Sequence, residues 1–173
     1  MWNKLGVKKI LTTCPHCFNT LQNEYTQFGG DFEVIPHAAF LENLLYSGKL
    51  KPVNGLLEIV TYHDSCYLGR YNGFYNQPRE ILNAIPGISL IEMSRAKESS
   101  FCCGAGGGRF WMKAESENAI TINRTHEILA TGTKVLCTSC PYCLIVLKGE
   151  IEKREPDQQI ITMDIAEILE ASL

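Results

Sequence analysis

Short apolar runs alternate along this chain with segments of helical spacing. The runs, which are rich in β-branched and aliphatic side chains, predict strands over residues 7–12, 32–35, 57–62, 89–93, 134–137 and 159–163. The segments between and after them predict helices over residues 15–27, 38–46, 78–84, 113–130, 141–153 and 164–171. This alternation favours an α/β fold in which a largely parallel sheet is covered by helices.

Two stretches of the chain resemble each other. Residues 9–17 read KILTTCPHC, residues 135–143 read VLCTSCPYC, and the patterns downstream also match at nearly the same offset. We therefore predict that residues 1–56 are the C-terminal part of a truncated first repeat, and that residues 57–173 form a complete second domain. The missing half would come from an absent N-terminal region or a partner subunit. Two chance CPxC turns would not explain the shared downstream pattern.

Composition limits the function classes. The chain has 173 residues, of which 45% are apolar and 20% charged, with a net charge of −3. These values are ordinary for a globular protein and give no electrostatic footprint for nucleic acid. The sequence has no run of roughly 18 apolar residues and no apolar signal core at its start. We expect a cytoplasmic protein that reaches the inner face of a membrane only through a parent protein or a partner.

Eight cysteines are many for a chain of this length. In a reducing compartment they indicate metal ligands or redox groups rather than structural disulfides. Several follow predicted strands, and the carboxyl ends of parallel strands meet at one side of a sheet. We therefore expect one set of five to converge there: Cys66, Cys102, Cys103, Cys140 and Cys143.

The two cysteine motifs suit thiolate chemistry in different ways. In each CPxC unit the proline fits the first helical position, and the helix N-terminus stabilises a thiolate. Alone, such a unit could be a redox dithiol. The adjacent Cys102 and Cys103 can rarely serve one tetrahedral metal, but they can reach two irons of a cluster. The glycine-rich residues 104–108 could place backbone N–H groups around sulfur. By itself, that run would indicate a flexible loop.

Polar residues near the motifs suggest supporting roles. His63 and Asp64 end a predicted strand before Cys66, where they could orient the site. Arg109 could offset negative charge, although a solvated side chain is an equal alternative.

Four further residues have weaker signals. Cys137 aligns with Leu11 of the first repeat, which predicts a core position and not a ligand. His16 is expected to be exposed. For His37 and His126 the pattern suggests surface or capping positions without a specific partner.

The motifs resemble a known family. Residues 62–66, 102–108 and 140–143 are similar to the CCG cysteine-rich domain, which occurs usually as a tandem pair in one of the subunits of heterodisulfide reductase. Related iron–sulfur oxidoreductases, such as glycolate oxidase and lactate-utilisation proteins, also contain it. The resemblance covers residues 57–173 as a full domain and 5–50 as the end of a preceding one. Longer family members carry a ferredoxin-like module and a membrane portion before such a region.

The resemblance implies a cofactor. The five cysteines would hold a [4Fe-4S] cluster of noncubane type, although some family domains hold zinc or a different cluster. Cys14 and Cys17 would form an incomplete second site.

The function expected is therefore an iron–sulfur electron-transfer domain of a heterodisulfide-reductase-like oxidoreductase. It would accept electrons from a ferredoxin-type centre or a flavoprotein, and pass them to a disulfide, a quinone pathway or a partner subunit. One alternative is a structural zinc module, against which the fifth cysteine counts. The other is a metal-free dithiol switch, which does not require so wide a set of cysteines.

Overall fold

Parallel strands form the centre of the protein. The computed structural model describes residues 2–112, 120–156 and 160–173. In a small sheet, β1 (Lys9–Thr12) pairs with β2 (Glu33–Pro36). A larger sheet has the order β4-β3-β5-β6. Its strands are β3 (Ile59–His63), β4 (Ser89–Leu90), β5 (Val135–Thr138) and β6 (Ile161–Asp164). All of these pairings are parallel, so the predicted α/β fold is confirmed.

Helices cover both faces of the larger sheet. They are α1 (Pro15–Asn19), α2 (His37–Tyr46), α3 (Asn76–Ala84), α4 (Ile120–Ala130), α5 (Pro141–Arg154) and α6 (Ile165–Glu170). One apolar layer joins the sheet to α2, α3 and α6, and a second joins it to α4 and α5. None of the helices in the described ranges is long and apolar enough to cross a membrane.

Alternation along the strands assigns side chains to the two layers. Val60 and Tyr62 of β3 and Val135 and Cys137 of β5 enter the layer with α2, α3 and α6, whereas Leu136 enters the layer with α4 and α5. Cys137 is fully buried, which confirms the prediction that it occupies the core.

Two predicted elements differ from the structure. The helix expected over residues 15–27 is regular only in α1, and continues as a π-helical turn (Thr20–Glu24) and a 3₁₀ turn (Tyr25–Phe28). Asn19 donates a side-chain hydrogen bond to Glu24, and residues of weak helix propensity follow it. Strand β4 is shorter than expected, because the Thr61 hydroxyl takes the carbonyl of Ile91. The parts of the predicted helix at 113–119 and of the predicted strand at 159 lie outside the described residues.

The first 56 residues repeat part of the larger sheet. Strands β1 and β2 pair in the same parallel way as β5 and β6, and β1, like β5, runs directly into a CPxC turn. Strand β5 has neighbours on both sides, but within the described residues β1 pairs with β2 alone. Leu11 is accordingly 51% exposed, while its counterpart Cys137 is buried.

Helix α2 fastens this first segment to the larger sheet. His37, at the start of α2, is buried, and its Nε2 lies 3.0 Å from Oδ1 of Asp164 at the end of β6. The expectation that His37 has no specific partner was therefore wrong, because the packing of α2 beside α6 brings together residues far apart in sequence.

Candidate metal centre

The five cysteines of the second domain sit at the carboxyl ends of the strands. Cys66 lies in the turn after β3, Cys140 is the N-cap of α5 directly after β5, and Cys143 is in the first turn of that helix. Cys102 and Cys103 lie in the loop that leads towards α4. Residues separated by long stretches of sequence are thereby placed on one side of the sheet.

The thiols form one continuous series of contacts. The Sγ atoms of Cys103 and Cys143 are 3.3 Å apart. Cys102 hydrogen-bonds with both Cys66 and Cys103, and Cys140 with Cys143. The structure thus brings all five predicted site residues together.

Proton sharing makes two of these thiols strongly acidic. Hydrogen bonds from Cys103 and Cys66 lower the pKa of Cys102 to about 2, and hydrogen bonds from Cys143 and His16 lower the pKa of Cys140 to about 5. The interaction with Cys102 conversely raises the pKa of Cys103 to about 12, and also raises the pKa of Cys66. A set of crowded thiols, some already ionised, is the donor chemistry that a soft metal centre requires.

Backbone amides of the glycine-rich loop also face sulfur. The N–H of Gly104 donates to Sγ of Cys102 at 3.3 Å, and the N–H of Ala105 donates to Cys103. Gly104 has φ +92°, and a Cβ there would lie 2.5 Å from Oγ1 of Thr121. Only glycine therefore lets the loop approach α4 closely enough to present these donors.

His63 lies beside the sulfur atoms with one nitrogen already in use. It is fully buried at the end of β3, and its Nδ1 accepts a hydrogen bond of 2.9 Å from Nε of Arg124 on α4. Its Nε2 is buried without a partner among the described residues. A ring nitrogen of His63 and the Sγ atoms of Cys103 and Cys143 lie within 4.8 Å of one another. Burial, with the nearby charge of Arg124, lowers the pKa of His63 to about 3, so its ring is neutral.

Asp64 holds the Cys66 turn against the loop that carries Cys102. Its carboxylate accepts two hydrogen bonds from the buried Arg79, at 2.8 and 2.9 Å, and one of 2.8 Å from the N–H of Lys97. The hydroxyl of Ser100 donates to the Asp64 carbonyl. Asp64 therefore positions the site through the backbone, without touching the thiols in the way that His63 does.

His16 links the first CPxC unit to the second. It was expected to be exposed, but its ring is half-buried against Tyr67 and Tyr142, with centroid distances of 4.3 and 5.3 Å. It hydrogen-bonds with both Cys14 and Cys140, and these bonds raise the pKa of His16 to about 9. The prediction of exposure was wrong because α1 packs next to the start of α5.

The remaining candidates lie further from the five thiols. Cys14 is half-buried and Cys17 exposed, and their side chains hydrogen-bond with each other. The side chains of Arg109 and His126 are exposed, so Arg109 corresponds to the solvated alternative. The cation that approaches the site is instead Arg124.

The surroundings of the thiols fit an anionic, sulfur-rich group. Polar atoms that are buried without partners in the described ranges include His63 Nε2, Ser65 Oγ, Arg124 Nη2 and Thr125 Oγ1. All four belong to the end of β3 or to α4, the elements on which the site is built. Buried donors of this kind are costly unless something accepts from them, and thiolate or sulfide sulfur would do so.

Sequence reasoning missed two residues that touch the site. Arg124 lies in a predicted helix whose pattern gives no sign that this arginine is buried. His16 stands inside a CPxC motif, which was a signal that it could meet a thiolate, but its contact with Cys140 depends on how the two CPxC helices pack.

Comparisons with known proteins agree with this arrangement. The model of the cysteine-rich domain family CCG matches residues 60–148. The probable iron-sulfur-binding oxidoreductase FadF of Bacillus subtilis is 47% identical over 172 residues, which are 99% of this chain and 24% of that protein. The EtfAB:quinone oxidoreductase of Syntrophomonas wolfei is 42% identical over 175 residues, 97% of this chain and 24% of the relative.

A methanogen relative is also similar along almost the whole chain. This relative, which belongs to the dihydromethanophenazine:CoB--CoM heterodisulfide reductase of Methanosarcina barkeri, is 35% identical over 173 residues, covering 98% of this chain and 42% of that protein. The chain therefore spans about a quarter of the length of the first two relatives and less than half of the third. By its motifs, its fold and the extent of the family match, the chain belongs to the CCG cysteine-rich domain family.

Proposed function

We propose that this chain is an iron–sulfur electron-transfer domain of an oxidoreductase. The observation that carries the proposal is the continuous contact of five thiols at the strand ends, two of them strongly acidic. The ligands would be Cys66, Cys102, Cys103, Cys140 and Cys143, around a [4Fe-4S] cluster of noncubane type. The names of the Bacillus and Syntrophomonas relatives, which describe an iron–sulfur-binding protein and a quinone oxidoreductase, support this class.

The protein residues would bind the cluster and control its surroundings. A bound cluster would supply one-electron chemistry, taking up and releasing electrons without a change in its ligands. The amides of Gly104 and Ala105 would donate to ligand sulfur, and hydrogen bonds of this kind raise a reduction potential because they favour the more negative state. The rings of His16, Tyr67 and Tyr142 would cover the Cys140 side and limit access of water.

A mononuclear zinc site is the second candidate, and one observation favours it. His63, Cys103 and Cys143 place three donor atoms within 4.8 Å, the separation of ligands around a single ion. Structural zinc sites are closed by four ligands, however, and here five thiols are in contact. A zinc site would leave at least one ionisable thiol of the set without a role.

Metal analysis after anaerobic reconstitution separates these candidates. The purified chain is incubated with iron, sulfide and an equimolar amount of zinc, desalted, and analysed for iron, sulfide and zinc per chain. We expect about four irons per chain, broad visible absorption and a paramagnetic signal in one oxidation state. One zinc per chain with no iron would contradict the proposal in favour of the zinc module. No metal, with a reversible disulfide, would favour the dithiol switch.

We further propose that residues 1–56 are the end of a first repeat and residues 57–173 the second domain. The open edge of β1 is the place where a strand equivalent to β3 would pair, supplied by an upstream region or a partner subunit. Cys14 and Cys17 would then be two ligands of an incomplete site, so this chain alone should bind one cluster and not two. Two full clusters in a monomer would refute this division.

The partners follow from the same division. We propose a ferredoxin-type centre or a flavoprotein as the electron donor, with a disulfide, a quinone pathway or a partner subunit as the acceptor. Contact with the inner face of a membrane would be made through the parent protein or such a partner. Co-purification of the full-length protein with membranes, and of this chain with none, would agree with that assignment.

A further inference from the structure

The buried pair of Arg124 and His63 fixes where a proton lies beside the metal centre. The guanidinium Nε of Arg124 is 2.9 Å from Nδ1 of His63, and both residues are fully buried. We propose that Arg124 is a positioning residue that holds the proton of His63 on Nε2, so that His63 serves the centre as a hydrogen-bond donor to sulfur and not as a metal ligand. This inference rests on the proposed function for the identity of the acceptor.

The position of the proton follows from the chemistry of the two side chains. An arginine Nε always carries a hydrogen, so it can only donate. Nδ1 of His63 must therefore offer its lone pair, and a neutral imidazole then carries its single hydrogen on Nε2. A ligating Nε2 would need that hydrogen on Nδ1, facing the donor of Arg124. The contact with Arg124 excludes this tautomer as long as it persists.

Arg124 is itself held in one orientation. Its Nη1 donates to Oε2 of Glu127 at 2.6 Å and to the carbonyl of Arg95 at 2.8 Å, and Glu127 also pairs with the Arg95 side chain. These bonds leave Nη2 buried without a partner among the described residues. The guanidinium cannot turn away from His63 without breaking them.

The Nε2 hydrogen has an acceptor only in the metal centre. His63 Nε2 is unpartnered and buried among the described residues, while the Sγ atoms of Cys103 and Cys143 are its neighbours. A donor at this position stabilises added negative charge on sulfur. Arg124 therefore raises the reduction potential in two ways: through its own charge, and through the hydrogen bond that it imposes on His63.

The position of the proton can be measured without a cluster. Metal-free chain labelled with ¹⁵N at histidine gives long-range ¹⁵N–¹H spectra that distinguish protonated from unprotonated ring nitrogens. We expect Nδ1 of His63 to have the shift of an unprotonated nitrogen and Nε2 that of a protonated one. A protonated Nδ1 would overturn the proposal on the wild-type protein, without any variant.

Variants extend this measurement. In Arg124→Met the two tautomers should both be populated, since methionine keeps the length of the side chain but donates nothing. Arg79→Met is the matched control: Arg79 is also buried, but it donates to Asp64 and Glu92. Its loss should lower stability and leave the His63 tautomer unchanged. Mixed tautomers in Arg79→Met as well would indicate a general loosening of the fold, and would count against a specific role of Arg124.

Reduction potentials test whether Arg124 acts through His63. In reconstituted protein we expect Arg124→Met to reduce the ratio of reduced to oxidised centre about tenfold at a fixed potential, which is about 59 mV for one electron. His63→Leu should lower the potential as well. Adding Arg124→Met to His63→Leu should then have less than half of its effect in the wild type. Full additivity would overturn the relay and leave only a direct charge effect.

Iron content separates this proposal from the function on which it rests. If the wild type binds no iron but shows the expected tautomer, the proposed function fails and the proton assignment stands. If iron binds and His63→Leu loses it completely, His63 is a ligand, and the inference is overturned while the proposed function holds.

Discussion

The sulfur atoms of Cys103 and Cys143 lie 3.3 Å apart although 40 positions separate them in sequence. Both thiols are buried in the layer that α4 and α5 form on the sheet. We predict that this pair is the first to form a disulfide when metal-free protein is oxidised, because little backbone movement is needed to join them. Peptide mapping by mass spectrometry after mild oxidation should find Cys103 linked to Cys143.

The same experiment has an internal control. Cys137 is as deeply buried but lies in the opposite layer, and burial raises the pKa of its thiol. It should remain a free thiol throughout. Prior loading with iron and sulfide should protect Cys103 and Cys143, and a linkage that involves Cys137 would mean that oxidation had unfolded the chain.

Cys137 and Cys140 form a matched pair of substitutions. Because Cys140 is in contact with Cys143 while Cys137 faces the other layer, we predict that Cys137→Ala keeps the metal centre and that Cys140→Ala destroys or alters it. Cys137→Ala should cost about 1 kcal/mol of folding free energy through lost packing. Visible and electron paramagnetic resonance spectra of both reconstituted variants decide this. The reverse pattern would mean that the repeats are aligned incorrectly.

The glycine-rich loop offers a second matched pair. Gly104 has φ +92° and no space for a Cβ beside Thr121, whereas a Cβ at Gly106 would meet nothing within 4 Å. Gly104→Ala should therefore cost about 1–3 kcal/mol in backbone strain and displace the donors to Cys102 and Cys103. Gly106→Ala should be close to neutral. Urea unfolding and iron content measure both effects, and equal losses in the two variants would argue against a specific role of Gly104.

Sequence patterns predict the parts of this structure that depend on local order. The strands and most helices follow from apolar periodicity. The gathering of Cys66 and Cys140 follows because both come after parallel strands, whose carboxyl ends share one side of a sheet. The break after α1 escaped prediction because Asn19 and Glu24 form side-chain contacts that compete with a regular helix.

Contacts between distant elements could not be predicted in this way. Arg124 meets His63 across 61 positions, and His37 meets Asp164 across 127. Each pair depends on which face of a helix packs on the sheet, and a single histidine or arginine in a helix carries no sign of that face. The division into two repeats remains a prediction, supported by the matching turns and the open edge of β1.

Asp64 should matter for both stability and the metal centre. Removing it in Asp64→Ala leaves the buried Arg79 with Glu92 as its remaining carboxylate, and frees the backbone of Lys97. We expect a loss of about 3–5 kcal/mol, the cost of breaking a buried ion pair, and weaker cluster retention because Cys66 and Cys102 are no longer held together. In Glu92→Ala, whose partner keeps Asp64, the loss should be about 1 kcal/mol or less. A similar loss in both variants would contradict the assignment of Asp64 as the clamp.

The contact of His37 with Asp164 tests whether the first segment is an integral part of the fold. His37 begins α2, Asp164 is the N-cap of α6, and their side chains are 6% and 19% exposed. A double-mutant cycle of His37→Ala and Asp164→Ala, followed by urea unfolding, should give a coupling energy of about 1 kcal/mol. Asp164→Ala alone should cost more than His37→Ala, because it also removes the hydrogen bond that Asp164 accepts from the N–H of Ala166. Asp164→Asn, which can keep both acceptor roles, should retain most of the stability. If the coupling is zero and unfolding shows two transitions, residues 1–56 fold apart from the second domain, and the contact of His16 with Cys140 must then be lost without a change in the stability of the larger sheet.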